Sequence, residues 1–340
     1  MKEPLVSICI PTYNGELYLK ECLDSVVSQS YDNIEIIIID DKSSDGTVGI
    51  INSYLVDGRI CLYRNEINLG LVGNWNRCIE LANGEWIKFV FQDDLILPDC
   101  IEKMLNAANG NSLIACKRTF LLDGNVDDQT KKYYQKEVVT FEKLGVPCAI
   151  SFISHERISQ MAAENICMNF IGEPTSVMFK KAITSKIGFY NDNLTQICDL
   201  EYCLRIAVNY GVIYVPETLT RFRIHSLSTT STNLDEKRFT LSNIDPIIIV
   251  RQLLYDTHYS ALRNSITFRN KIKLQKYFSV RAYEAYRTTL LCGLQSEEMK
   301  KFNSIAKVYP EIDAYKYPSL NTKLLYQVVR IRRKVRHFLK

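Results

Sequence analysis

The sequence lacks a glycine cradle for phosphate. Neither Gly-x-Gly-x-x-Gly nor Gly-x-x-x-x-Gly-Lys occurs in its 340 residues, which excludes the two common loops that wrap phosphate in backbone amides. It also lacks a membrane span. No stretch of about 18 apolar residues exists, and the most apolar candidate, Pro246 to Tyr255, is broken by Arg251 and Gln252. No leader peptide is expected, because the chain enters a strand-like run by Leu5. The 11 cysteines include no Cys-x-x-Cys pair and no zinc spacing. Cys9, Cys22 and Cys78 sit in apolar runs and read as small hydrophobes in a reducing, cytoplasmic compartment. The net charge of +4 is too small to predict a nucleic-acid partner without a focused patch.

What is present is a core-forming chain, 46% hydrophobic. At roughly 150 residues per domain it holds one large domain plus an appendage, or two domains. Leu5 to Ile10 reads as a buried strand ended by Pro11, and Leu19, Cys22, Leu23, Val26 and Val27 then recur at helical spacing. Ile34 to Ile39 is a β-branched run of the kind buried on both faces of a parallel sheet, and it stops at Asp40-Asp41. A strand at Ile60 to Tyr63, a loop over 65–73 and a helix from Asn74 to Ala82 follow. A strand from Trp86 to Phe91 stops at Asp93-Asp94, and Pro98 opens a further helix. This alternation predicts an α/β fold with a parallel sheet. Beyond 112 the pattern reads as a mixed continuation, with strands at Thr175–Phe179 and Val212–Val215 and a helix at Asp199–Asn209. From about 236 it reads as helical, and the Ser/Thr cluster from Ser226 to Asn233 is the candidate boundary.

Open α/β sheets bind ligands beyond the carboxyl ends of their strands. Three strand ends here carry polar groups: Pro11 to Asn14, Asp40-Asp41, and Gln92-Asp93-Asp94. A strand-terminal Asp pair also serves as a helix cap or turn. Two such pairs on one sheet favour the other use, holding Mg²⁺ or Mn²⁺ with diphosphate oxygens completing the shell.

Val6-Ser-Ile-Cys-Ile-Pro-Thr-Tyr-Asn14 resembles the opening of the family 2 glycosyltransferases. So do Ile38 to Thr47, Asn68-Leu69-Gly70, Ala82 to Ile87 and Phe91-Gln92-Asp93-Asp94, in order and at family-like spacing across 5–100. A weaker match continues to about 225, and the last hundred residues are not covered. The resemblance implies a GT-A type, Rossmann-like mixed sheet flanked by helices, with a C-terminal helical appendage. It divides the chain into a GT-A domain over 1–232, with a nucleotide-sugar half (1–110) and an acceptor half (111–232), and a helical region over 233–340. Pro11, Tyr13 and Asn14 would border the nucleotide, with Asn76 on the same side. Asp41 would accept the N3–H of uracil or thymine. Asp94 would be the direct metal ligand, with Asp93 reaching the ribose or the metal shell. Two positions depart from the pattern: Phe91 stands where many members have a further Asp, and Trp75 where many have Arg.

Transfer to a hydroxyl requires a group that removes its proton, and a carboxylate is the usual agent. Asp199 to Arg205 resembles the family's second acidic motif, which makes Asp199 the expected base; a helix cap is the plainer use of the same residue. Glu201 ranks second. Arg221 to His225 resembles an element near the donor diphosphate, so His225 is a candidate metal ligand or phosphate donor, or simply structural. Glu173 is a candidate acceptor contact.

Tyr326 to Lys340 contains six Lys/Arg and no acid, interspersed with Val328, Val329, Val335, Phe338 and Leu339. Such a segment, taken over 322–340, can lie on the anionic inner face of a membrane, be a solvated tail, or pack on protein. Processive polymerases of the family carry Gln-x-x-Arg-Trp, and the two tryptophans, Trp75 and Trp86, lie elsewhere. The expected protein is therefore an inverting, metal-dependent enzyme adding one sugar from a UDP- or dTDP-sugar to a glycan or lipid-linked glycan acceptor. Its alternative is a non-catalytic nucleotide-sugar or glycan binder. A nucleotidyltransferase would want a basic, Gly-rich first loop, and Tyr13-Asn14-Gly15-Glu16 has no Lys or Arg until Lys20.

Overall fold

The isoleucines of the second strand show how the sheet is covered. Ile36 and Ile38 join one hydrophobic cluster, Ile37 and Ile39 the other. That period of two buries both faces, which is why the run carries almost no polar residue. The computed structural model describes residues 3–228 and 239–338, with side chains through Arg332.

Strands β1 (Val6–Thr12), β2 (Ile34–Asp40), β3 (Ile60–Arg64) and β4 (Trp86–Phe89) are parallel, in spatial order β3-β2-β1-β4. The chain leaves β1 toward β2 and β3 and returns to β4 on the other side of β1. The crevice between the ends of β1 and β4 is thus a topological switch point, where open sheets bind ligands. Past β4 the sheet becomes mixed. A two-residue β5 (Leu95–Ile96), β6 (Leu113–Leu122), β7 (Ser151–Ile153), β8 (Val177–Lys180) and β9 (Val212–Ile224) complete nine strands, with β8 antiparallel to β4 and β6 parallel to β9.

Helices Leu19–Val27 and Cys100–Ala107 cover one face. Helices Gly70–Leu81, His155–Glu164 and Cys198–Tyr210 cover the other. The C-terminal helices Asp245–Tyr255, Ser260–Ser265, Phe268–Cys292 and Glu297–Val308 pack onto that second face, so that Ile247, Phe278 and Phe302 share one cluster with Leu204 and Ile206. The boundary expected at 232–233 lies outside the described residues. All 11 cysteines are free thiols.

The strands expected over Trp86–Phe91 and Thr175–Phe179 are shorter or shifted, at Trp86–Phe89 and Val177–Lys180, and two elements differ more. The third helix begins at Gly70, not Asn74, because the Asp41 carboxylate accepts the amides of Leu69 and Gly70 (2.8 and 2.9 Å) and Gly70 turns at φ 73°, a conformation open to glycine. The strand expected to stop at Val215 runs to Ile224, passing Pro216 at a register shift against β6.

Candidate active site

A cleft of about 1470 Å³ opens over the switch point. This exceeds the usual volume of a single small-molecule pocket and has room for two substrates. Its walls come from the loops after β1, β2 and β4, from the end of β9, and from segments 127–137 and 192–199.

The donor wall begins at the end of β1. Tyr13 donates its amide to Gln92 Oε1 (2.9 Å) and accepts from Gln92 Nε2 (3.1 Å), which ties the ends of β1 and β4 together. A Cβ on Gly15 would lie 2.3 Å from Gln92 Oε1, so this tie requires glycine there. Asn14, at φ 47°, accepts from the Ser44 amide and receives its own bond from the β2 loop, its amide donating to Ser43 Oγ. Pro11, Tyr13, Asn14 and Asp41 all line the cleft.

Asp41 is buried, and its carboxylate caps the helix that starts at Gly70. Oδ1 also accepts from Asn65 Nδ2 (2.6 Å), whereas the Gly70 amide is the hydrogen bond observed on Oδ2. A carboxylate oxygen has two acceptor sites, so Oδ2 keeps capacity for a further donor from the cleft. Asn76, expected beside the nucleotide, faces elsewhere: its amide side chain pairs with both backbone groups of Tyr190 (3.1 and 2.9 Å). Trp75, its neighbour, faces the cleft instead.

At the end of β4 the two aspartates part company. Asp93 lines the cleft and its Oδ2 meets His225 Nε2 at 2.9 Å. Asp94 is fully buried behind the wall. Its oxygens accept from the Thr175 hydroxyl and from the Arg223 amide at 2.9 Å. Burial, and next the Asp93 charge, hold its carboxyl well above the ordinary value. The expectation that Asp94 is the direct metal ligand does not match this geometry, because Asp94 is shut off from the cleft, its oxygens turned to the turn before β8 and to β9. Asp93 is the member of the pair that reaches the cleft.

Arg223 braces the same corner. It donates to Asp93 O and to Glu21 (2.9 and 2.8 Å), with its guanidinium 4.4 Å over the Tyr18 ring, and the Tyr18 ring meets that of His225 at 4.7 Å. A carboxylate oxygen beside an imidazole nitrogen is a donor set compatible with Mn²⁺ or Mg²⁺. No cluster of three His, Cys, Asp or Glu suited to a metal forms among the described residues. A cation held at Asp93 and His225 would therefore draw the rest of its shell from substrate oxygens and water.

Another stretch of the wall carries Asp199, in the first turn of helix Cys198–Tyr210. Burial pushes its carboxyl up to about 7; the nearby Glu173 charge adds to this, and the Leu200 amide and Arg118 oppose it. Asn169 Nδ2 donates to Asp199 Oδ2 (3.2 Å) and also to Gly172 O, so the loop before Glu173 orients the acid. Glu173 lines the cleft in an ion pair with the buried Arg118. Glu201 is not on the acceptor side: it is buried in the core, bonded to Arg205 (2.9 Å) and to the Tyr259 hydroxyl (2.8 Å). An i to i+2 step on a helix turns the side chain away from Asp199.

Sequence reading named Gln92 at a strand end but missed its tie to Tyr13, and missed Arg118 altogether; both have partners remote in the chain. It also missed the cover formed by helix Asp128–Lys132 and the π-helical turn Tyr133–Glu137, which brings Lys132, Tyr133 and Tyr134 to the cleft. The paired Tyr133-Tyr134 was the available signal, since aromatic surfaces suit sugar faces.

Residues 7–161 match the family model described as Glycosyl transferase family 2. An uncharacterized glycosyltransferase of Rickettsia typhi, RT0329, is 30% identical over 236 residues, 68% of each chain. Among solved structures, residues 1–349 of Staphylococcus aureus TarS in complex with UDP-GlcNAc give a TM-score of 0.58 at 18% identity, covering 91% of this chain and 83% of that one. The mannosyltransferase PcManGT of Pyrobaculum calidifontis, in complex with GDP-Man and Mn²⁺, gives 0.51 at 13% identity over 97% and 80%. This chain belongs to glycosyltransferase family 2. It is a transferase enzyme with the GT-A fold, acting in sugar transfer.

Proposed function

We propose that the enzyme moves one sugar at a time, with inversion, from a UDP- or dTDP-sugar to a hydroxyl of a glycan acceptor, free or lipid-linked, in the assembly of a surface polysaccharide or lipid-linked oligosaccharide. The observation that carries this reading is one cleft lined by two chemically distinct groups: the Asp93–His225 pair on one stretch of the wall and the raised carboxyl of Asp199 on another.

Asp41 Oδ2 accepts the N3–H of the base, which selects uracil or thymine. Asp93 and His225 would hold Mn²⁺ or Mg²⁺ against the diphosphate; such a cation, when bound, stabilises the charge of the departing diphosphate. Arg223 keeps Asp93 in place through its main chain. Asp199 takes the acceptor proton as the hydroxyl oxygen bonds to the anomeric carbon on the face away from the leaving group, and a pKa near 7 suits that task at neutral pH. Inversion needs no second carboxylate on the donor face. The test is the anomeric configuration of the product, read by NMR: an α-linked donor should give a β-linkage, and a retained configuration overturns the mechanism.

The C-terminal helix Leu320–Phe338 packs through Tyr326 against Tyr283 and Arg287 of helix Phe268–Cys292. Leu320, Leu324, Val328 and Ile331 form an exposed stripe on another face, flanked by exposed Lys323, Arg330 and Arg332. Among the described residues no helix is long and apolar enough to cross a membrane. An apolar stripe with basic flanks suits the surface of an anionic bilayer, which would hold the enzyme beside a lipid-linked acceptor.

A further inference from the structure

Helix Cys198–Tyr210 carries Asp199, yet it has no side-chain cap of its own: the residue before it, Ile197, is apolar. The loop that leads into the helix is held instead by a carboxylate 50 residues away. Asp245, fully buried at the start of helix Asp245–Tyr255, accepts from the Thr195 amide at 3.1 and 3.2 Å and from the Gln196 amide at 2.9 Å. The Ile197 amide, next in line, adds a weaker pull on the same group. One carboxylate thus gathers the amides that lead into the helix.

Thr195, Gln196 and Asp199 line the cleft, whereas Asp245 sits behind them. A buried carboxylate is costly unless well paired. Burial raises the Asp245 carboxyl, the three amides pull it down, and Lys301 lends a weaker opposing charge. Its own helix is anchored by Ile244, Ile247 and Ile248, all buried in the cluster shared with the acceptor half. The loop is therefore fastened to a rigid element rather than to another loop.

We propose that Asp245 is a positioning residue, through which the C-terminal helical region sets the place of the catalytic carboxyl Asp199. This rests on the reading of Asp199 as the base. The C-terminal helices become part of the catalytic apparatus: they hold the loop that aims the base at the acceptor hydroxyl. A misplacement of about 1 Å at such a group costs on the order of a hundredfold in rate. The donor wall, built on β1, β2 and β4, does not touch Asp245.

The experiment compares Asp245→Asn and Asp245→Glu with the parent protein and with Arg251→Ala. Arg251 lies on the same helix and pairs with Glu311 (2.7 Å), so its loss weakens the helix while the Asp245 bonds to Thr195 and Gln196 stay in place. Hydrogen exchange reads the clamp directly: the amides of 195–197 should exchange at least tenfold faster in Asp245→Asn and unchanged in Arg251→Ala. Turnover of the best UDP- or dTDP-sugar should fall about 10- to 100-fold in Asp245→Asn, with donor KM and Mn²⁺-dependent UDP binding within about twofold. Asp245→Glu keeps the charge, is expected to fold, and should recover part of the rate. Unchanged exchange at 195–197, or turnover lost equally in Arg251→Ala, overturns the proposal. Full activity in Asp245→Asn beside a dead Asp199→Asn sinks the clamp alone. An active Asp199→Asn sinks the base assignment, and the clamp's effect on turnover with it.

Discussion

The indole of Trp75 stacks on the ring of Phe91, centroids 4.7 Å apart and planes 26° apart. These are the two positions where the sequence departs from its family's pattern, and they are in contact. Where many relatives carry an Arg and an Asp, this chain carries an aromatic pair. Both line the cleft beside Asp93 and pack on Phe89, and Trp75 also meets Tyr190 edge-on. A carboxylate at 91 would face the indole, whereas the aromatic pair fills both positions with apolar contact.

Trp75→Ala should therefore cost about 3 kcal/mol of stability, the order seen when a large buried aromatic is removed. Phe91→Asp should cost as much, because it sets a carboxylate against the indole and beside Asp93. The double change Trp75→Arg with Phe91→Asp should cost less than the sum of Trp75→Arg and Phe91→Asp made singly. Urea unfolding of the four proteins measures this coupling, and strict additivity would remove the idea that the pair was exchanged as a unit.

Asp199 gives a signed pH dependence. Its carboxyl is raised to about 7, so turnover over donor KM should climb through that pH and level above it. The stability effect runs the other way. A carboxyl with a raised folded value binds its proton more tightly in the native state, so it favours folding below the unfolded pKa and loses that contribution as pH rises toward 7. Asp199→Asn should be inactive yet more stable than the parent at pH 8, with little difference near pH 4. Thermal melts at the two values read this.

Asp93 and Asp94 should separate in their variants. Asp93→Asn and His225→Ala are expected to lose Mn²⁺-dependent UDP binding with melting temperatures little changed, since both groups sit at the cleft. Asp94→Ala should instead lose stability, about 2–3 kcal/mol, because the Thr175 hydroxyl and Arg223 amide are left without a buried acceptor. Calorimetric titration alongside melting distinguishes the two patterns.

The stripe on the last helix predicts sedimentation with vesicles. Binding should appear with anionic lipid, at about 1 kcal/mol per Lys or Arg near the surface, and weaken with salt. Leu324→Glu with Ile331→Glu should abolish it while leaving turnover of soluble substrates intact. Equal binding to neutral vesicles would show that the basic flanks do not contribute.

The parallel half of the fold was legible because each element announces itself locally. The isoleucine run of β2, the helical spacing after Asn14 and the strand-end aspartates require no knowledge of the rest of the chain. Which aspartate of the 93–94 pair faces the cleft was not legible. β4 ends at Phe89, and the turn that follows is set by Thr175 and Arg223, 81 and 129 residues further on. Glu201 failed for the same reason: its partner Tyr259 comes from the C-terminal helices. Asp245 lies inside the stretch read as helical from about 236, and nothing local shows that its carboxylate holds the loop before a different helix.

Metal-assisted transfer from a uridine or thymidine diphosphate sugar, with Asp199 as base, is read out by nucleoside diphosphate release, measured across UDP-, dTDP- and GDP-sugars with Mn²⁺ or Mg²⁺ and a glycan acceptor fraction. Release is expected from one uridine or thymidine donor, dependent on the metal, and lost in both Asp93→Asn and Asp199→Asn. Release that survives chelation, or that persists at the parent rate in Asp199→Asn, would contradict it.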